Sequence, residues 1–378
     1  MRIAFFTEAY EPFVNGVVVL IKAFREQLQR RGHEVAIFAP RYPGHADGDD
    51  DVVRLPSIVW SRIGYPCLRP FSGVYREFRR RRFDVIHTHH PFTTGLLAER
   101  LARRFRLPVV HTFHTLLPDY AHYIPLPHRL TRPALTHIIR RHCARAQCVT
   151  VTTRLMRAWL QERGIGTPIR VVSPAVPLPP PAPGAREAIR ARLGVPTAAP
   201  LLVYAGRLAP EKRLDFLLRA VAPLGRTHDF YLLLVGGGPS EAALRARAAD
   251  LGLSDRVRFA GVVAHHQMSD YYAAGDLFVF PSTSDTLGLV LLEAMSAGLP
   301  CVAVGVNGPS EVVENGVTGI LTPFEEAAFS AAVARLLSDG RLRREMGVAA
   351  AAATRAGVGA GMAEQLLAAY EAVRTDVC

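Results

Sequence analysis

The segment LLVYAGRLAPEK, residues 201–212, joins a run of apolar residues to a glycine turn and a basic loop. The run from Leu201 to Ala205 lacks the polar alternation of a half-exposed strand, which is typical of a parallel strand buried on both faces. Gly206 and Arg207 follow directly, and a helical pattern begins after Lys212. Because ligands bind beyond the carboxyl ends of parallel strands, this segment predicts an α/β fold with its chemistry in the loops after the strands.

Similar apolar runs, separated by amphipathic helical stretches, recur along the whole chain. In the first half they are Ile3 to Phe6, Val35 to Ala39, Val85 to His87, Val109 to His111 and Cys148 to Val151. In the second half they are Leu201 to Ala205, Tyr231 to Val235, Val257 to Phe259, Leu277 to Phe280 and Cys301 to Val304. Two alternating strand and helix series predict two doubly wound, Rossmann-like domains that face a central cleft.

A proline-rich stretch divides the two series. Six prolines lie between Ser173 and Gly184, and proline lacks the amide hydrogen that helices and sheets require. We therefore predict an N-terminal domain at residues 1–175, a linker at 176–184 and a C-terminal domain at 185–360. A last helical pattern at about residues 361–378 could pack back on the N-terminal domain.

The composition is that of a folded protein, with 49% hydrophobic and 21% charged residues. The N-terminus does not resemble a signal peptide and no stretch approaches the ~20 apolar residues of a membrane span, so a cytoplasmic location is expected. The five cysteines are scattered and form no CxxC pair, which argues against a disulfide framework and a zinc cage.

The net charge of +12 is distributed unevenly. Residues 1–180 hold 27 Lys and Arg against 13 Asp and Glu, a balance of +14, which leaves 18 against 20 for the remainder. This asymmetry predicts that the N-terminal half meets a polyanionic surface, either a membrane leaflet or a nucleic acid.

The loop of residues 205–212 carries the residue types that bind phosphate. Gly206 lets the backbone approach a ligand closely, Arg207 offers a planar fork for two phosphate oxygens, and Lys212 adds a mobile charge. Together they could hold a pyrophosphate. The alternative is an exposed basic turn that pairs with Glu211.

A second loop, PSTSDTLGLVLLEAMSAGLP at residues 281–300, again leads from a strand into a helix. Asp285 is expected in the loop, Gly288 near the helix start, where free amides can receive an anion, and Glu293 inside the helix. Because its neighbours are apolar, Glu293 needs a partner or a ligand hydroxyl. The alternative is a carboxylate on the helix face that reaches solvent or an arginine.

These two loops, their order and their spacing resemble the retaining glycosyltransferases of family 4, which have the GT-B fold, over essentially the whole chain. The resemblance implies that Arg207 and Lys212 contact the donor pyrophosphate and that Asp285 hydrogen-bonds hydroxyls of the donor sugar. It also implies that Glu293 binds the ribose hydroxyls. The backbone amides presented to phosphate would come from three consecutive residues: Gly288, Leu289 and Val290. Asp285 stands where glutamate is commonest in the family, which leaves the identity of the sugar open.

Glycines mark two further loops. Asn15 and Gly16 open the first helix, and the resemblance implies that Gly16 lies close to the donor phosphate across the cleft, while an ordinary turn is the alternative. The run Gly236 to Gly238 lacks the spacing of a dinucleotide fingerprint and is interpreted as a tight turn.

Histidines end two neighbouring strands of the first domain, at His87, His89 and His90 and at His111 and His114. A zinc site is conceivable because strand ends could bring several imidazoles together. No cysteine or suitably placed carboxylate lies nearby, and the resemblance implies a reaction that needs no metal, so neither a metal nor another cofactor is expected. The resemblance instead places His114 beside the transferring sugar, in a reaction where the nucleotide departs from the front face without a protein nucleophile.

Arginine clusters in the N-terminal half predict contact with an anionic membrane. The residues are Arg76, Arg79, Arg80, Arg81, Arg82, Arg100, Arg103, Arg104, Arg106, Arg140, Arg141 and Arg145. Apolar segments that look exposed accompany them at Val59-Trp60, residues 63–66 and Leu116-Leu117. The alternative is a solvated, arginine-rich surface.

Residues 7–18, 111–115 and 119–125 look most like bacterial diacylglycerol glucosyltransferases, which dock on membranes through the N-terminal domain. The predicted function is transfer of glucose from UDP-glucose to a lipid such as diacylglycerol, by an enzyme peripheral to the inner face of the cell membrane. Alternatives are a GDP-mannose-dependent mannosyltransferase acting on a phosphoinositide or polysaccharide, a sugar-nucleotide epimerase, and a nucleic-acid-binding protein.

Overall fold

The computed structural model describes residues 1–13, 15–45, 48–59, 66–68, 74–116, 128–174, 178–357 and 361–375. Two compact units divide the chain: Met1–Ala175 together with Ala360–Cys378, and Val176–Gly359. Each unit contains its own parallel sheet, so the predicted architecture of two doubly wound α/β domains is confirmed. Trp60, residues 63–65, Leu117 and residues 119–125, used above, lie outside the described residues.

The first unit contains a seven-stranded parallel sheet in the order β3-β2-β1-β6-β7-β8-β9 and a separate antiparallel pair, β4-β5. Its strands are β1 Arg2–Phe6, β2 Glu34–Pro40, β3 Val52–Leu55, β4 Ser57–Val59, β5 Pro66–Leu68, β6 Val85–Thr88, β7 Val109–Phe113, β8 Cys148–Val151 and β9 Ile169–Val171. Its first helices are α1 Gly16–Gln29, α2 Val74–Arg81, α3 Thr93–Phe105, α4 His128–Cys143 and α5 Arg154–Glu162. The strand order reverses between β1 and β6, where such sheets bind ligands.

The second unit contains a six-stranded parallel sheet in the order β12-β11-β10-β13-β14-β15. Its strands are β10 Leu201–Ala205, β11 Tyr231–Val235, β12 Val257–Gly261, β13 Leu277–Phe280, β14 Cys301–Val304 and β15 Gly319–Thr322. Its helices are α6 Ala185–Leu193, α7 Leu214–Val221, α8 Glu241–Asp250, α9 Met268–Ala274, α10 Leu289–Ser296, α11 Pro309–Val312, α12 Glu326–Ser338 and α13 Gly340–Gly357. Here the order reverses between β10 and β13, the two strands that precede the predicted donor loops.

The last helix, α14 Met362–Thr375, belongs to the first unit although it follows the second in sequence. It contacts α1, β7 and β8, and its buried face includes Leu366, Tyr370 and Val373. Gln365 accepts a hydrogen bond from the amide of Ser173. The apolar stripe of this helix therefore completes the covering of the first sheet.

Apolar packing explains why the central strands could be recognised from sequence. Every residue of β6, β8, β10 and β13 is buried, so each is a continuous run without polar alternation. The core of the second unit extends over both faces of its sheet, from α6 to α13. The core of the first unit includes clusters around Phe38 and around Val149.

Candidate active site

Two predicted donor loops meet at the switch point of the second unit. Strands β10 and β13 are neighbours in the sheet, so the loops after them leave side by side. The Nζ of Lys212 donates to Oδ1 and Oδ2 of Asp285 at 2.7 and 2.9 Å, and the Ser284 hydroxyl donates to the Glu211 carbonyl. The structure therefore brings Lys212 and Asp285 together as a half-buried ion pair.

Arg207 is exposed, but it is followed by the buried Leu208 and Ala209, and its loop packs against the glycines after β11. A Cβ added to Gly236 would lie 2.0 Å from the carbonyl oxygen of Gly206, and one added to Gly238 would lie 2.3 Å from that of Leu208. Both glycines also have positive φ angles. The run Gly236 to Gly238, interpreted as a tight turn, therefore also sets the position of the Arg207 loop. Any side chain at Gly236 or Gly238 would push that loop away.

A second supporting loop was missed from sequence. After β14, the Asn307 side chain donates to the Thr283 carbonyl at 2.7 Å and the Gly308 amide donates to the Asp285 carbonyl at 3.1 Å. A Cβ on Gly308 would lie 2.4 Å from the Cα of Leu287. This loop therefore fixes the backbone on which Asp285 is held.

Glu293 lies on α10 and is 4% exposed, so its carboxylate does not reach solvent. Its Oε2 accepts a hydrogen bond of 2.7 Å from the hydroxyl of Tyr272, a buried residue of α9, and its Oε1 lies 3.8 Å from Nδ1 of His265. Burial raises the pKa of Glu293 to about 7, with the Tyr272 hydrogen bond opposing the shift. Tyr272 could not be found from sequence because it precedes Glu293 by 21 residues on another helix.

The start of α10 has the backbone form expected of an anion site. Gly288 immediately precedes the helix with a φ of +77°, and Leu289 and Val290 form its first turn. Amides of a first helical turn have no acceptor within the helix. The predicted use of these three amides for phosphate stays a prediction.

The corresponding loops of the first unit also meet at its switch point. Asn15 caps α1 by accepting a hydrogen bond from the Val18 amide, so Gly16 is the first helical residue. The buried Glu8, in the loop after β1, accepts hydrogen bonds from the Thr93 hydroxyl and the Thr94 amide at the start of α3. Gly16 is thus held at a helix start, and its role towards phosphate stays a prediction.

The half-buried His114 belongs to a network of imidazoles that also includes the buried His87 and His89. Its Nε2 lies 2.9 Å from Nδ1 of His89, while His87 uses one ring nitrogen on the Tyr370 hydroxyl at 2.7 Å and the other on the Thr112 hydroxyl at 2.6 Å. Burial and neighbouring histidines lower the pKa of His114 well below its ordinary value, and burial lowers that of His87 to about 3. A neutral ring donates through one nitrogen and accepts through the other, so this network fixes ring orientations.

Further histidines extend the network away from the strand ends. The Thr88 hydroxyl lies 3.0 Å from Nδ1 of His111 and 3.1 Å from Nε2 of His142, whose Nδ1 lies 2.9 Å from Oε1 of Glu99. Among the residues that the structure describes, no group of three or more His, Cys, Asp or Glu is arranged to hold a metal ion. The ring nitrogens of His111 and His142 contact a hydroxyl and a carboxylate here, and the expectation that no metal is bound stays a prediction.

The arginines predicted to face a membrane differ in their surroundings. Arg80 and Arg81 both pair with Glu77, and Arg81 also pairs with Asp51 at 2.8 Å, so acidic neighbours offset part of their charge. All of these arginines except Arg81 are exposed, and the exposed apolar residues Phe92 and Leu96 lie at and near the start of α3.

The prediction that Leu116 belongs to that exposed surface is wrong. Leu116 is buried in the cluster that contains Phe113 and Ile139, because the chain after β7 turns into the core. In the part of the chain that the structure describes, no helix is both long and apolar enough to cross a membrane.

Two family models match the chain and together cover most of it. Glycosyltransferase Family 4 matches residues 14–178, and Glycosyl transferases group 1 matches residues 185–353.

Among curated relatives, an alpha-monoglucosyldiacylglycerol synthase of Streptococcus pneumoniae is 30% identical over 334 residues, which cover 85% of this chain and 75% of the relative. A D-inositol 3-phosphate glycosyltransferase of Frankia alni is 35% identical over 287 residues, or 71% of this chain and 69% of the relative.

Solved structures show the same fold at lower identity. Sucrose-phosphate synthase from Thermosynechococcus elongatus superposes with a TM-score of 0.79 at 23% identity, covering 99% of this chain and 96% of that one. Anabaena HepE in complex with UDP and glucose gives a TM-score of 0.77 at 20% identity, covering 98% and 100%.

Proposed function

We propose that this chain, which belongs to glycosyltransferase family 4, transfers glucose from UDP-glucose to the hydroxyl group of a lipid such as diacylglycerol. Its two parallel-sheet units have the GT-B fold, and membership of the family makes it a retaining hexosyltransferase that uses a nucleotide sugar. The nucleic-acid alternative is therefore set aside, and the identities of donor and acceptor are the proposal.

The single observation that carries the donor site is the Lys212–Asp285 pair at the β10/β13 switch point, with Arg207 on the adjoining loop. When the sugar leaves, the diphosphate gains negative charge, and Arg207 and Lys212 would stabilise it by charge-assisted hydrogen bonds. Preorganised donors of this kind contribute ~3–4 kcal/mol each. The proposal uses no metal or other cofactor, because these two cations would meet the developing charge.

The lipid acceptor is supported by the relative named as an alpha-monoglucosyldiacylglycerol synthase and by a second such relative from Acholeplasma laidlawii, 25% identical over 338 residues. In the first unit, exposed Arg103 and Arg104 end the same helix near whose start Phe92 and Leu96 are exposed. Apolar side chains with nearby cations suit the surface of an anionic leaflet. We place the enzyme there, peripheral to the inner face of the membrane.

A phosphorylated inositol is the second candidate acceptor, because relatives named as D-inositol 3-phosphate glycosyltransferases reach 35% identity. In this alternative the donor is a GDP-sugar, as in a mannosyltransferase that acts on a phosphoinositide.

The test incubates the purified chain with labelled UDP-glucose, UDP-galactose or GDP-mannose. Each donor is offered with anionic liposomes containing diacylglycerol and, separately, with inositol phosphate. The proposal expects labelled glycolipid from UDP-glucose. Labelled inositol product without labelled lipid would replace it by the second candidate, and free hexose or an epimer without any acceptor product would overturn both.

A further inference from the structure

The two oxygens of the Glu293 carboxylate are not equivalent. Oε2 points inward and accepts the Tyr272 hydroxyl at 2.7 Å, whereas Oε1 lies 3.8 Å from Nδ1 of His265, whose side chain is 35% exposed. One oxygen is therefore bound by the buried Tyr272, and the other lies beside the partly exposed His265.

The core holds the Tyr272 ring in place. Tyr272 is fully buried, and its ring contacts that of Phe278 edge to face at a centroid distance of 6.0 Å. A buried tyrosine hydroxyl needs a hydrogen-bond partner, and Glu293 supplies it. Because α9 and α10 belong to the same packed core, this bond fixes the rotation of the carboxylate rather than following it.

We propose that Tyr272 is a positioning residue that anchors Oε2 of Glu293 so that Oε1 is presented to the ribose hydroxyls of the donor nucleotide. This inference rests on the proposed function, in which Glu293 binds ribose. A freely rotating carboxylate would lose side-chain entropy on binding, and an anchored one has lost it already.

The anchor also affects the charge of Glu293. Burial raises the pKa of Glu293 to about 7, and the hydrogen bond from Tyr272 acts in the opposite direction. Without that bond the pKa rises further, so the ionised acceptor form exists only at higher pH. The other titratable groups nearby are His265, which faces Oε1, and Tyr204 and Cys301, which interact electrostatically with Tyr272.

The experiment measures binding of UDP and of 2′,3′-dideoxy-UDP by calorimetry from pH 6 to pH 9, with GDP and its dideoxy analogue in parallel. The Tyr272→Phe variant keeps the ring and removes only the hydroxyl. Tyr271→Phe is the matched control, because Tyr271 is the adjacent residue on α9 and its hydroxyl accepts from Arg192 instead. His265→Gln removes the other group whose titration could shape the pH profile.

We expect Tyr272→Phe to weaken nucleotide binding about 10-fold at pH 7, as for loss of a hydrogen bond to a charged group. The midpoint of its pH profile should move upward, and binding of the dideoxy analogue should change much less. Tyr271→Phe should bind like the wild type. In the His265→Gln background, Tyr272→Phe should still raise the midpoint of the pH profile.

Equal losses for ribose and dideoxyribose ligands, or an unshifted profile in a folded Tyr272→Phe variant, would overturn the inference while leaving hexosyl transfer intact. Failure of the wild type to bind either nucleoside diphosphate would overturn the proposed donor site itself, and the inference with it.

Discussion

Replacing Gly236 by alanine tests whether the glycine loop after β11 sets the position of Arg207. A Cβ at Gly236 would lie 2.0 Å from the carbonyl oxygen of Gly206, whereas real Cβ atoms essentially never approach closer than 3.0 Å. The obstacle is backbone, so no side-chain rotation can relieve it. The Gly206–Arg207 segment must therefore move by at least about 1 Å to bring this distance to the 3.0 Å limit.

A displacement of this size has a large expected effect on catalysis. Misplacing a binding group by ~1 Å can cost about 100-fold in rate, so kcat/KM for the donor should fall by about that factor. The φ of +132° adds backbone strain of roughly 1–3 kcal/mol, which should lower the melting temperature as well.

Gly252→Ala is the matched control, because Gly252 also has a positive φ, +68°, and nothing lies within 4 Å of its added Cβ. It should lose roughly 1–2 kcal/mol of stability and keep its turnover. Donor kcat/KM and thermal melting are measured for both variants and the wild type. Wild-type kcat/KM in a folded Gly236→Ala variant, or an equal loss in Gly252→Ala, would refute the reasoning.

Further predictions concern Glu293, Asp285 and the basic surface. Donor kcat/KM should rise through pH about 7 as Glu293 ionises, and Glu293→Gln should flatten the profile. Because folding raises the pKa of Glu293, its protonated carboxyl contributes fully to stability below the unfolded pKa, and this contribution is lost as the pH rises through about 7. The melting temperature of Glu293→Gln should therefore exceed that of the wild type at pH 8 but not at pH 4. Asp285→Asn removes the carboxylate that competes with the donor phosphates for Lys212. Calorimetry should therefore show that UDP binds several-fold more tightly, while the rate of hexose transfer falls. Weaker UDP binding would contradict this. Arg79→Ser should reduce sedimentation with anionic liposomes more than Arg81→Ser, because Arg79 is exposed and Arg81 is already paired, and the difference should shrink at high salt.

The central strands were predictable from sequence and most edge strands were not. Strands buried on both faces are continuous apolar runs, as in β10 and β13. The edge strands β3, β9 and β15 are short and only partly buried, so they lack that pattern. The donor loops were predictable because Gly206 and Arg207 follow the apolar run of β10, and Asp285 and Glu293 follow that of β13.

The contacts that hold the site were not predictable, because they join distant parts of the chain. Lys212 and Asp285 were each expected to face the donor, but their mutual ion pair depends on the adjacency of β10 and β13. Tyr272 and Gly308 look like ordinary core and turn residues in the sequence. The burial of Leu116 likewise depends on where the chain goes after β7 rather than on local hydrophobicity.

The most direct test of the donor site is the rate of hexosyl transfer from labelled nucleotide sugar by Arg207→Ala and Glu293→Ala. Arg245→Ala serves as the control, since Arg245 lies on the exposed face of α8 and pairs with Glu241. We predict that both site variants fold and lose nearly all transfer, while the control keeps the wild-type rate. Wild-type turnover in Arg207→Ala and Glu293→Ala would contradict the placement of the donor at the β10/β13 switch point.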